Sequence, residues 1–181
     1  MSGHGGHVDT SNKKIALLIA VLALCLAISE TLSKAYQTEV ITKQVEASNL
    51  WAFFQAKSIR KTSTDLAVQS AQIQPSAEDP KVAAMIKRWT DASKRYDSEP
   101  ETGEGRKELA ARAIAAQKLG QVANHKYHNL EVSSGVLQVA IVLASSSIIT
   151  GVMLLAWLAG GLGVIAVGFG IFAMTGTAAL L

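Results

Sequence analysis

From Val132 to Leu181 the chain runs fifty residues without a single Asp, Glu, Lys or Arg. A soluble globule of 181 residues cannot bury so long an uncharged tail, whereas roughly 20 apolar residues suffice to cross a bilayer as a helix. The tail is therefore expected to hold two spans. Gly160-Gly161 is the natural break, giving 132–158 and 162–181 as the second and third transmembrane helices, with Trp157 as an interfacial anchor. A further apolar run, Ile15–Ile28, is fourteen residues long, about 21 Å of helix. It reaches spanning length only over 13–35, which brings in Glu30 and Lys34, spaced to pair at the membrane surface. Lys13-Lys14 ahead of it resembles the start of a signal peptide, but in Leu22-Ala23-Leu24-Cys25 a bulky Leu24 stands where a lipoprotein cleavage site needs Gly or Ala. An uncleaved first span is the expectation.

Between these spans the composition reverses. The segment 29–131 carries 15 of the 17 basic and 13 of the 14 acidic side chains. From His7 to Gln74 there is neither Gly nor Pro, as expected of one continuous helix that leaves the membrane and continues over 36–74. Pro75 and Pro80 stop it, and Asp79-Pro80 supplies a cap and a first-turn proline for a helix over 80–98. Pro100, Gly103 and Gly105 break the chain again before an Ala-rich helix over 104–131. At the standard rise the two returning helices together match the outgoing one. The expected fold is all-α: a flexible His/Gly tail over 1–12, three transmembrane helices, and a long extramembrane antiparallel helical hairpin, coiled-coil-like, over 36–131. A compact three-helix bundle is the competing geometry for that middle segment.

Two faces stand out on these helices. Small residues recur in steps of three and four at Ala140, Ala144, Ser147 and Gly151, and again at Ala159, Gly163, Ala166, Gly170, Ala173 and Thr177. Such seams let helix backbones approach closely in lipid, where apolar burial gives little drive to associate. On the outgoing helix, Leu50, Trp51, Phe53 and Phe54 sweep more than the arc one neighbour covers. They are expected to form an oligomer or partner surface, the alternative being an aromatic core inside a bundle.

A search for chemistry returns little. A lone cysteine, Cys25, excludes a disulfide framework and a cysteine-built metal site. His4 and His7 lie in the tail; His125, His128 and Glu131 share a helix face, a weak metal candidate that is better read as a polar surface. Lys87, Arg88, Lys94 and Arg95 make a basic stripe, most simply a solvated face. Gln138, Ser145, Ser146, Ser147 and Thr150 could line a pore, yet serine in a helix readily bonds its own backbone. The net charge of +3 and the lack of a recognisable motif argue against nucleic acid. No cofactor is expected.

Four runs carry a resemblance. They are Ile15–Leu24; Glu46-Ala-Ser-Asn-Leu-Trp-Ala-Phe-Phe-Gln-Ala-Lys-Ser-Ile-Arg60; Arg95-Tyr-Asp-Ser-Glu-Pro-Glu-Thr-Gly-Glu-Gly-Arg-Lys-Glu-Leu109; and Gln138–Gly151. The chain resembles a bacterial family of small inner-membrane proteins defined only by a domain of unknown function. The resemblance implies a multi-pass inner-membrane protein and supplies no catalytic residues. Lys34, Lys43, Lys118 and Lys126 against Lys13 and Lys14 lean towards a cytoplasmic helical domain. The expected function is a non-enzymatic, self-associating scaffold or accessory subunit, with membrane lipid, further copies of itself and a protein partner as its contacts. A small oligomeric channel or transporter built from the second and third spans is the alternative.

Overall fold

The computed structural model describes residues 10–175. Helix α1, Thr10–Gln72, runs 63 residues without interruption, as a stretch free of Gly and Pro permits. A single 3-10 turn, Pro75–Glu78, follows. Asp79 then caps α2, Pro80–Asp97, its side chain accepting from the Lys81 amide at 2.8 Å, with Pro80 in the first turn where its missing N–H costs nothing. Helix α3 spans Arg106–Thr150 and α4 spans Met153–Thr175. Among the described residues there is no strand, and α1, α3 and α4 are long and apolar enough to cross a membrane.

Burial along these helices repeats every seven residues, in steps of three and four. On α1, Ile15, Leu22, Ser29, Leu50 and Ala71 are buried at multiples of seven, and 36, 43, 57 and 64 between them are half-buried. On α3, Leu109, Ala116, Ala123, Leu130, Leu137 and Ala144 do the same; on α4 two such series interleave, Ala156, Gly163, Gly170 and Ala159, Ala166, Ala173. A straight α-helix drifts by about 20° per heptad against such a repeat, so a seam that stays buried implies left-handed supercoiling.

Among the described residues the chain divides into two compact units, one from 10–40 and 121–175, the other from Ile41–Gly120. In the second unit, contacts climb along α2 and then α3 as they descend along α1. Asp65 meets Ser93, Lys57 meets Tyr96 and then Glu104, and Phe54 meets Arg106. Leu50 and Ala47 pack with Leu109, Ala113 and Ala116. Both α2 and the start of α3 thus lie antiparallel to α1 within this unit.

In the first unit the core is Ile15 and Leu22 of α1, Leu137, Ala140 and Ala144 of α3, and Ala156, Ala159 and Ala166 of α4. Gly163 sits so close to Leu22 that an added Cβ would overlap the leucine's terminal methyl. Buried hydroxyls tie the helices as well. Ser29 donates to the Leu130 carbonyl at 3.3 Å, Ser134 to Ser29 at 3.0 Å, and Ser133 to the Ala166 carbonyl at 2.8 Å.

The turn between the last two helices is not where the glycine pair suggests. The expected boundaries 132–158 and 162–181 give way to a break at Gly151-Val152, with Gly160, Gly161 and Trp157 all inside α4. Gly151 adopts φ 73°, which closes the helix in a left-handed residue. Its amide donates to the Ser147 carbonyl at 3.0 Å, the Ser147 hydroxyl to the Val152 carbonyl at 2.9 Å, and the Val152 amide to the Thr150 hydroxyl at 3.4 Å. The break falls where hydroxyls can serve the freed backbone groups. At Gly160-Gly161 no side chain could do so, and continued helix satisfies the backbone by itself.

Candidate functional site

The two longest runs that carry the resemblance meet in the second unit. Trp51 stands edge-on to Phe54, ring centroids 5.4 Å apart at 82°. The Arg106 guanidinium lies over the Phe54 ring, 5.5 Å from its centre. Lys57 bridges to Glu104 at 3.5 Å and lies 5.7 Å from the centre of the Tyr96 ring. Aromatic and cationic side chains of α1 are thereby locked to the corner that joins α2 to α3.

That corner is built around Glu108. One of its carboxylate oxygens accepts from the Ser98 hydroxyl at 2.6 Å, the other from the Glu99 amide at 3.2 Å. Gly103, at φ 67°, turns the chain, and its amide donates to the Glu99 carbonyl at 2.9 Å. Arg95 clasps Glu99 at 2.8 Å; Lys107 reaches Asp97 at 2.9 Å, and Arg106 reaches it at 3.8 Å. The charged residues of this run hold a bend. They do not converge on a reacting atom.

Three carboxyls of the corner and one on α1 are held below their ordinary range. Asp97 is lowered by hydrogen bonding to Lys107, Glu99 by Arg95 and then Thr102, and Glu108 by Ser98 and backbone amides. Asp65 is lowered by Lys61 and then by Ser93. Lys107 is raised by its bond to Asp97.

Beside the corner opens a cavity of about 410 Å³ between α1 and α3. Its apolar wall is Leu50, Phe53, Ala56 and Leu109; its polar wall is Lys57, Arg60, Glu104 and Arg112. A second hollow in the first unit, shallower and about 470 Å³, is polar, with Glu30, Lys34, Tyr127, Glu131 and Gln138 among its lining residues.

Several residues singled out from the sequence are placed differently from expectation. Leu50 is 6% exposed and belongs to the core of the second unit, with Trp51 and Phe54 packed against it; Phe53 alone of that quartet is open, at 62%. The four therefore do not form one surface, because the α3 neighbour covers the Leu50 side of the helix. Ala140, Ala144, Ser147, Gly163, Ala166, Gly170 and Ala173 are buried, while Gly151 is exposed in the turn. Glu30 accepts from Gln138 at 3.3 Å, and Lys34 makes no ion pair among the described residues. His128 Nδ1 lies 3.9 Å from Glu131, and the Tyr127 hydroxyl donates to that carboxylate at 3.2 Å. No group of three potential metal ligands comes together among the described residues, His125 included. The hydroxyls of Ser145, Ser146 and Thr150 each donate to the carbonyl four residues back. Arg95 of the basic stripe is tied to Glu99. His4, His7 and Thr177 lie outside the described residues. Ser29, Ser133 and Arg112 went unremarked in the sequence, and Arg60 and Glu108 entered only as members of the runs that carry the resemblance.

Comparison with curated proteins and with solved structures finds no match. A family does match, over residues 11–176, which takes in all four helices and both runs that meet at the corner. The chain belongs to the family described as Domain of unknown function (DUF4337).

Proposed function

We propose that this protein is a non-enzymatic scaffold of the bacterial inner membrane that assembles through its own α1 helix. In this reading three helices cross the bilayer, and the charged second unit stands in water as an antiparallel hairpin whose return strand is broken at the corner. The observation that carries it is a face of α1 without charge. Val45, Ala52, Ile59 and Leu66 recur every seven residues, all exposed, with Ile73 just past the helix end in the same phase. The flanking positions 41, 48, 55, 62 and 69, and 49, 56, 63 and 70, are exposed too and hold only Ile, Ala, Ser, Thr, Asn and Gln. A helix face left to water ordinarily carries Lys, Glu, Arg or Asp. One that repeats every seven residues and lacks charge suits a second copy of itself, since apolar ridges align and no like charges oppose. Copies held in one bilayer would bring α1 together parallel and in register. The pore reading gains nothing comparable, because the Ser145, Ser146 and Thr150 hydroxyls donate within their own helix and that of Ser147 donates to the turn.

The test is disulfide trapping of the full chain in bilayers, with Cys25 replaced by Ser. Ile59→Cys and Leu66→Cys should each yield a covalent dimer on mild oxidation, while Arg88→Cys on α2 should not. The double change Ile59→Glu, Leu66→Glu should turn the detergent-purified particle into a monomer with its helix content intact. A wild-type particle that is strictly monomeric by mass in both bilayer discs and detergent overturns the reading.

A further inference from the structure

We propose that the cavity between α1 and α3 binds an amphiphilic oxyanion, a carboxylate or phosphate headgroup on an aliphatic body. This concerns the side of the second unit where α1 meets α3, and of the uncharged α1 face only Ala56 lines it. Three cations and one acid line the cavity, and the acid is already matched: Glu104 pairs with Lys57, which also lies against Tyr96. Two guanidiniums remain. Arg60 makes no side-chain hydrogen bond or ion pair among the described residues, and Arg112 has only a long bond, 3.4 Å, to the Gly103 carbonyl. One comes from each helix, so they bracket the opening rather than sit side by side on one surface turn. Between them lie Leu50, Phe53 and Leu109, and Phe53 is 62% exposed, a costly aromatic face for water to cover.

The geometry selects the ligand class. Guanidinium forks match the planar or tetrahedral oxygens of carboxylate and phosphate, and such charge-assisted bonds are about twice as strong as neutral ones. A cavity of about 410 Å³ is within the size range of small-ligand sites. An inorganic anion would leave the apolar wall wet, and an uncharged alkane would leave both arginines without a counter-ion. A molecule carrying both parts satisfies both walls.

Calorimetric titration of the full chain in phosphatidylcholine discs, against empty discs, tests this with four probes: decanoate, decyl phosphate, inorganic phosphate and decyltrimethylammonium. One decanoate or decyl phosphate should bind saturably per chain, and whichever binds tighter tells a fatty acid from a phosphate-headed lipid. Inorganic phosphate should bind at least about tenfold more weakly than decyl phosphate. Arg60→Gln with Arg112→Gln should weaken both amphiphilic anions by about tenfold or more while leaving the melting temperature unchanged, both arginines being exposed. Binding no different from empty discs, equal uptake of the cationic amphiphile, or unchanged affinity in the double variant would each refute the assignment.

Discussion

Gly105 has no room for even one more carbon. A Cβ there would overlap the Glu108 carboxylate and the Glu99 backbone nitrogen and would lie 2.6 Å from the Ser98 Cα. Two of those three obstacles are backbone, and the third is the side chain on which the corner depends. Gly163 meets only a terminal methyl of Leu22, which can turn aside. Gly105→Ala should therefore destabilise the second unit by about 1–3 kcal/mol, whereas Gly163→Ala should cost less than about 1.5 kcal/mol. Thermal melts of the two variants in the same detergent check the order. The reverse order would mean that the corner is looser than its contacts indicate. Residue identity alone could not have ranked these glycines. Gly163 belongs to a small-residue seam that spacing made visible, while the tightness at Gly105 arises from Ser98 and Glu108, ten residues apart, being drawn together by a fold.

For whole elements, local rules succeeded wherever the backbone itself decides. Pro75 deprives α1 of a donor, Asp79-Pro80 starts α2, and Gly103 turns the chain before α3, so these ends were legible at sight. The break before α4 was not. In a stretch without charge, composition offers a choice of glycines and no periodic signal to choose between them, and the decision rests on hydroxyls at Ser147 and Thr150 that spacing cannot reveal. Substitution separates the two placements. Gly151→Ala puts a side chain at φ 73° and should cost about 1 kcal/mol. Gly160→Ala and Gly161→Ala, each with no neighbouring atom within 4 Å of the new carbon, should be neutral or gain up to about 1 kcal/mol. Denaturation of the purified chain reads all three, and a loss at Gly160 or Gly161 without one at Gly151 would restore the glycine pair as the turn. The aromatic block on α1 shows the same limit from another side. Leu50 and Phe53 are equally apolar in sequence, and only the arrival of Leu109 and Ala113 from α3 makes one core and the other surface.

Across the whole molecule the two units are held by different forces, and pH should pull them apart. In the first unit, α4 is held by apolar packing and by the Ser133 hydroxyl, which do not titrate. The second gathers Asp65, Asp97, Glu99 and Glu108, every one lowered by a hydrogen-bonded cation, hydroxyl or amide. A carboxyl whose folded value lies below its unfolded one binds fewer protons when folded, so it stabilises the fold fully above the unfolded value. That contribution fades as pH falls through the ordinary carboxylate range, about 4, towards the lower folded values. Lys107 has the opposite sign: its raised value supports the fold at and below its ordinary range and is lost only in strong base. These side chains are largely open to solvent, so salt should blunt the effect. Acidification from pH 7 to about 3 should thus speed amide exchange in α2 and the first turns of α3 well before it touches α4. Asp97→Asn should remove part of that pH dependence while lowering stability at neutral pH. Exchange mapped by mass spectrometry on the full chain in uncharged bilayer discs would show it, and loss of protection in α4 at the same pH as in α2 would mean that the two units unfold as one.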